Sequence, residues 1–234
     1  MVDEAKSPEG DLRIDARWHG ILDAVLAVQA LLPAATMIGG SAVTVHTGHR
    51  LSGDADLVLR DLARDWRQVR GDLEDLAEWI TDYPKIPTNL MGRYGETRVS
   101  VRKLNRIRDI ELAEVEYRGR TLRIAAPDEL VRMKALAMLA RNFTRDYVDL
   151  VALDMGLREV GRSAAAAIST FDDYYHEHKS AGSLAREVLT ALAEPRPREE
   201  DPQAALDELA ALRDDLRDWE QIRLRCQQMA KDVE

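Results

Sequence analysis

Two aspartates one residue apart, Asp54 and Asp56, open the apolar segment DADLVL, and a Gly39-Gly40-Ser41 step precedes them across a short spacer. On a strand, residues i and i+2 share one face roughly 7 Å apart, so both carboxylates could grip the same hard cations. Mg²⁺ takes one or two carboxylates and completes its shell with water and substrate phosphate, which is what nucleotidyl transfer needs to neutralise charge and align the displacement. The glycines let backbone N–H groups come close to an anion, and Ser41 adds a hydroxyl. Either pattern alone is also an ordinary turn. Neither the P-loop lysine pattern nor Gly-x-Gly-x-x-Gly accompanies them, which sets aside the common nucleotide loops.

A second block lies downstream. On a helical wheel of DELVRMKALAMLAR, Lys134 falls among Leu130, Val131, Ala137 and Met138, with Arg141 one heptad on at nearly the same angle. A lysine on that face either snorkels from the core edge or faces a site. In RDYVDLVAL, Asp146 and Asp149 share a face with Leu150 and Leu153. Buried acids need partners, and Lys134, Arg141 or Arg145 could supply them.

Taken in order, GGSAVTVHTGHRLSGDADLVL resembles the AbiEii/MenT-type branch of the polymerase-beta-like nucleotidyltransferases, with His49, Arg50, Ser52, Asp54 and Asp56 matching its first motif. KALAMLARNFTRDYVDL looks like the second hallmark of the same family, so the resemblance covers Ile21 to Leu153. It implies an α+β fold: a polymerase-beta-like nucleotidyltransferase domain, a mixed sheet flanked by helices, with a helical C-terminal region. It further implies an NTP, CTP or UTP, with its phosphates over Gly40, Ser41, Arg50 and Ser52, and Mg²⁺, or Mn²⁺, on Asp54 and Asp56. Lys134 would bind the triphosphate and Asp149 would take the catalytic acid position, with Asp146 the fallback and Arg145 its structural partner. The acceptor implied is the 3′ end of tRNA, and the partner a cognate antitoxin to a monomeric toxin. One departure stands out: the third carboxylate of many such enzymes has no match in TRVSVRKLN, leaving Glu111, Glu114 and Glu116 as candidates from the next strands.

The net charge of −9 argues against a nucleic-acid partner until its distribution is considered. Acid gathers near the C-terminus, whereas Arg93, Arg98, Arg102, Lys103, Arg106 and Arg108 face only Glu96. Such a cluster suits phosphate contacts with tRNA, or is a solvated strand face. Two other functions compete: transfer to a small molecule such as an aminoglycoside or to a protein hydroxyl, and a catalytically silent binding module.

The elements that must carry these residues follow from periodicity. Trp18 to Leu32 repeats as a helix closed by Pro33; a short apolar element enters the glycines; SAVTVHTG forms a short helix; DADLVLR is a strand. Leu62 to Ile80 keeps a helical period until PKIPTN breaks it, TRVSVRKL alternates, and DIELAEVEYRGRTLRIAAP folds back at Arg118-Gly119. Pro127 opens a helix in two pieces, and helices continue to the end, the last running for about 30 residues from Pro202. The boundaries expected are 1–126 for the nucleotidyltransferase unit and 127–234 for a helical region completing the site. The last helix packs on the domain or binds a partner.

A hydrophobic content of 45% beside 32% charge describes a soluble globular chain, and with no long apolar run and no signal-like start the expected place is the cytoplasm, away from membranes. The single cysteine, Cys226, excludes an intrachain disulfide and is read as a packed helix residue. His176 and His178 sit two apart on a helical pattern, facing different ways, and read as an exposed face. Tyr174 and Tyr175 read as core and rim in preference to a base-stacking platform.

Overall fold

The computed structural model describes residues 16–106, 108–175 and 182–233. Its strands are β1 (Thr36–Ile38), β2 (Asp54–Leu59), β3 (Trp79–Lys85), β4 (Asn89–Tyr94), β5 (Thr97–Lys103), β6 (Leu112–Tyr117) and β7 (Arg120–Ala125). They join in one mixed sheet ordered β3-β4-β5-β2-β1-β7-β6. β2 runs antiparallel to β1 and parallel to β5, while β1 and β7 are parallel. Helices α1 (Ala16–Leu31) and α3 (Trp66–Glu74) belong to the first half of the chain, and α2 (Gly39–Thr47) grows directly out of β1. The mixed α+β architecture expected from the sequence is present, and the β6–β7 hairpin turns at Arg118 and Gly119 with φ of 50° and 71°. Two successive left-handed residues match the twist of a tight hairpin.

The helical pattern read through Ile80 stops earlier. α3 ends at Glu74, and residues 79–85 form an edge strand instead. Trp79 is buried while Ile80 is exposed, an alternation of period two that wins over the helical spacing once a partner strand is available. That partner, β4, is hidden in the sequence by the prolines of PKIPTN. Pro84 sits on the outermost strand of the sheet, where a missing N–H is tolerated.

The C-terminal half begins with α4 (Pro127–Arg141) and α5 (Thr144–Glu159), followed by α6 (Ala164–Ser169), α7 (Phe171–Tyr174) and α8 (Leu184–Ala193). The long final helix is corrected to three pieces: α9 (Pro202–Asp207), a 3₁₀ turn over Asp214–Leu216 and α10 (Trp219–Lys231). Between them Ala211 has φ of 50°, and the backbone leaves the helix to reach the loop before β2: Leu51 N–H donates to Ala210 O and Arg213 N–H to His49 O, both at 2.8 Å. The leucine spacing still marks what is buried, since Leu206, Leu212, Leu216 and Ile222 all lie in the core. One hydrophobic cluster runs from Trp18 through the sheet to Ala230, so both halves share it, and Cys226 is fully buried within it. Among the described residues no helix is long and apolar enough to cross a membrane. His176 and His178 lie outside the described residues.

Candidate active site

The strand β2 presents Asp54 and Asp56 on one face and buries Ala55 on the other. In register beside them on β5 stand Arg98 and Ser100, so the position that faces Asp56 carries a hydroxyl instead of a third carboxylate. Arg102, two residues further, donates from Nη2 to Asp56 Oδ1 at 3.2 Å and from Nε to Ser100 Oγ at 2.9 Å. The glutamates considered as substitutes are elsewhere. Glu114 and Glu116 are on β6, with β1 and β7 between that strand and β2, and Glu111 pairs with Arg132 at 2.7 Å and with Tyr174.

The glycine step is the start of α2 itself. Gly39 has φ of 79°, and a Cβ there would sit 2.7 Å from Asp56 Oδ2; one on Gly40 would sit 2.7 Å from Arg50 Nη2 and 2.8 Å from Ser52 Oγ. Small residues are required because the carboxylate, guanidinium and hydroxyl crowd the first turn, whose N–H groups have no helical acceptor. Ile38, the N-cap, offers no side-chain cap. Ser41 is placed differently from the expectation: it is fully buried and its hydroxyl donates to Asp54 O at 2.6 Å, tying helix to strand behind the cleft.

α4 and α5 bring the second block to the same place. Asp149 is fully buried and accepts from His49 Nε2 at 2.7 Å, Arg50 Nε at 2.8 Å, Arg50 Nη2 at 3.0 Å and Lys134 Nζ at 2.5 Å. Burial alone would push its carboxyl up, but Arg50, Lys134 and His49 outweigh that and hold it well below the usual carboxylate range. Burial pushes His49 down, which keeps the imidazole neutral: Nε2–H donates to Asp149 and Nδ1 faces the Thr47 hydroxyl at 2.8 Å. The guanidinium of Arg50 is opposed by burial and more than restored by Asp149. Asp149 is thus a hub behind the cleft that aims Lys134 and Arg50, and neither it nor His49 lines the cavity. The fallback acid Asp146 is equally buried, and its partner is Arg141, bidentate at 2.8 and 2.6 Å, not Arg145. Arg145 instead lies over Phe143 at 5.3 Å and reaches the cleft rim.

The resulting cleft has a volume of about 310 Å³. Six cationic side chains line it, Arg50, Arg98, Arg102, Lys134, Arg141 and Arg145, against the carboxylates of Asp54, Asp56 and Asp82, and Gly40 and Ser52 complete its floor. Of the linear basic cluster, Arg98 and Arg102 are at the site, Arg93 pairs with Asp82 at 3.3 Å on the neighbouring strand, and Lys103 is exposed just past Arg102. Arg106 leaves the patch: it is buried and bound to Glu129 at 2.6 Å. Arg108 stacks on Tyr174 at 4.7 Å, and Arg132 covers the same ring at 3.8 Å, so that aromatic is occupied by guanidinium groups; Tyr175 is buried. Asp82, Met91 and Gly92 form the outer wall and were not foreseen, because β3 reads as the end of a helix and β4 as no element at all.

The donor set of Asp54 and Asp56 suits a hard divalent cation, whose remaining positions fall to water and phosphate. Among the described residues no third His, Cys, Asp or Glu, Asp82 of the same cleft included, completes a metal-binding group with them. The arrangement can do one thing well: receive a polyanion next to a pair of carboxylates.

A family model described as Nucleotidyl transferase AbiEii toxin, Type IV TA system, matches residues 20–233. A curated protein of Mycolicibacterium smegmatis, the mycolic acid-containing lipids exporter MmpL11, is 28% identical over 149 residues, 58% of this chain; the chain spans 15% of the length of that relative. Similar solved structures include JHP933 from Helicobacter pylori, at 16% identity and a TM-score of 0.49 over 94% of this chain and 93% of that one. ANT(2″)-Ia in complex with adenylyl-2″-tobramycin aligns at 10% identity with a TM-score of 0.49, over 68% and 97% of the two chains.

Proposed function

The chain belongs to the AbiEii family of nucleotidyl transferase toxins, and from that premise we propose that it transfers a pyrimidine nucleoside monophosphate from CTP or UTP to the 3′ acceptor end of a tRNA, which stops translation in the cytoplasm until a cognate antitoxin intervenes. The observation that carries this reading is the cleft where Asp54 and Asp56 face Lys134 and Arg50 at the uncapped start of α2. A triphosphate brings several negative charges, and this cleft opposes them with six cations.

Asp54 and Asp56 would hold Mg²⁺ or Mn²⁺, which when bound supplies Lewis-acid neutralisation of the phosphate oxygens. Lys134, a point charge fixed by Asp149, binds the triphosphate and stabilises charge as pyrophosphate departs. Arg50 sits against the first turn of α2, where the helix dipole and free N–H groups favour an anion. Ser52 lies against the same turn, its Oγ crowding Gly40. Asp149, His49 and Asp146 act through Lys134, Arg50 and Arg141 and fix their positions.

Incubation of the protein, and of Asp56→Ala, with total tRNA, Mg²⁺ and each α-labelled NTP tests the reading. Label is expected in tRNA with wild type and a pyrimidine nucleotide, at a rate lowered on the order of 10²–10³ or more by the substitution, as for the loss of a group stabilising the transition state. Equal labelling by both proteins sinks the two-carboxylate assignment.

A second reading has one observation in its favour. A cavity of about 740 Å³, lined by Asp23, Glu78, Glu96 and Tyr94 with Arg17 as its one cation, adjoins the cleft through Ser52 and Gly53. Its acidic walls suit a small cationic acceptor, and label appearing in an aminoglycoside but not in tRNA selects that alternative.

A further inference from the structure

A second cleft of about 320 Å³ meets the first at Gly40, Asp56, Arg102, Lys134 and Arg141, which line both. Beyond that shared wall its character changes. Ile38, Val58, Leu104, Met133, Leu136 and Ala137 give it an apolar floor, and Lys103 adds charge at its margin. Apart from Asp56 it contains no acid. We infer that this cleft seats the terminal nucleotide of the acceptor RNA, its base on the apolar floor and its phosphate toward Lys103 and Arg102. The inference rests on the nucleotidyltransferase reading above and adds to it where the acceptor lies.

Three arguments converge. In phosphoryl transfer the attacking and leaving oxygens are roughly in line. The pyrophosphate belongs in the first cleft, with Arg50, Arg98, Arg145 and the start of α2; the second cleft shares Asp56 with it but none of those three arginines, so it offers the nucleophile a separate approach to the same carboxylate. The acceptor oxygen then bonds to the α-phosphorus, the α–β bridging P–O bond breaks with its electrons leaving on pyrophosphate, and the hydroxyl proton passes to water. Next, a single-stranded RNA end is recognised by apolar or aromatic surface under an unstacked base together with cations on its backbone, and this lining offers both. Finally, the cavity of about 740 Å³ beside the site sets three acids, Asp23, Glu78 and Glu96, against one cation, Arg17, a balance that disfavours a phosphate backbone.

Two substitutions confined to this cleft test the placement: Ala137→Trp, which fills it, and Lys103→Glu, which reverses its exposed charge without touching the core. Each is compared with wild type for thermal unfolding, for affinity toward a non-hydrolysable NTP analogue with Mn²⁺, for binding of a labelled single-stranded RNA ending in a free 3′ hydroxyl, and for transfer to tRNA. Analogue affinity is expected to stay within about twofold of wild type; Ala137→Trp abolishes RNA-end binding, and Lys103→Glu weakens it by about tenfold with a salt dependence shallower by about one ion. If either folded variant loses the analogue and keeps the RNA, the cleft holds the donor's nucleoside and the placement is wrong. RNA binding and transfer unchanged in both variants also overturn it, while the nucleotidyltransferase reading stands. A wild type that binds the analogue but neither binds nor labels RNA removes the placement together with the tRNA acceptor, and leaves the small-molecule acceptor.

Discussion

At the scale of single residues, the carboxylate of Asp149 organises the site without reaching it. Three neighbours donate to its two oxygens, and two of them are cations that carry the phosphate-binding charge. Removing one member of a buried pair leaves an uncompensated charge, at a cost of about 3–5 kcal/mol. Asp149→Asn is therefore expected to lose stability of that order in urea unfolding, and Lys134→Met distinctly less, since Asp149 keeps Arg50. A loss below about 1 kcal/mol for Asp149→Asn would refute the hub role. Two buried histidines, His49 in this cluster and His46 against Ala125 O, set a pH response. Burial holds His49 and His46 below the ordinary value of 6.5, so as pH falls the unfolded chain takes up protons before the folded one. Stability present above about pH 6.5 should fall below it until the folded values are reached, at up to roughly 1.4 kcal/mol per pH unit for each histidine. His49→Gln removes one of the two contributions, and urea titrations at several pH values should show a shallower slope than wild type; parallel slopes would sink the assignment.

At the scale of elements, the turn from β1 into α2 is where sequence and structure agree in residues but differ in reason. The glycines are needed because Asp56, Arg50 and Ser52 already crowd that turn. Gly39→Ala meets both a left-handed φ and the Asp56 carboxylate, so a destabilisation of about 1–2 kcal/mol is expected, with a larger relative loss of Mn²⁺ binding as Asp56 is displaced. Calorimetry and metal titration of the same variant separate the two effects; unaltered metal affinity counts against the crowding argument. The motif residues were legible because buried charge and paired carboxylates break the expected pattern of their elements. Lys134 on an apolar helix face and Asp149 among leucines are anomalies that a wheel reveals. The edge strand β3 and its partner β4 were not legible, because Trp79 and Ile80 continue a helical spacing by coincidence and the prolines look like a stop. The fate of Arg106 was equally hidden: its pairing with Glu129 depends on a helix that lies beyond the hairpin.

For the whole molecule, the division at residue 126 describes the order of element types better than it describes packing. The loop that leads into β2 is held by backbone hydrogen bonds, Leu51 donating to Ala210 O and Arg213 donating to His49 O, and Leu206, Leu216, Ile222 and Met229 belong to the same core cluster as Trp18. Periodicity within a segment registers that these leucines are buried, but not that they are delivered by three separate pieces held by contacts far back in the chain. A fragment ending at Ala126 is expected to show no cooperative thermal transition, because α2, with its buried Ala42 and Val43, loses α4 and α5, which pack against it. A sharp transition in that fragment would restore the two-unit description.

Cys226 turns this last question into a clock. It is the chain's only thiol, it is fully enclosed on α10, and burial pushes its ionisation far above that of a free cysteine, so an alkylating reagent can reach it only when the surrounding helices part. Its labelling rate under native conditions thus reports the free energy of that opening from a single site, with no probe to be engineered. A rate matching global unfolding means the C-terminal helices leave only with the sheet; a faster one means that the strap over the loop before β2 lifts by itself, and the site with it.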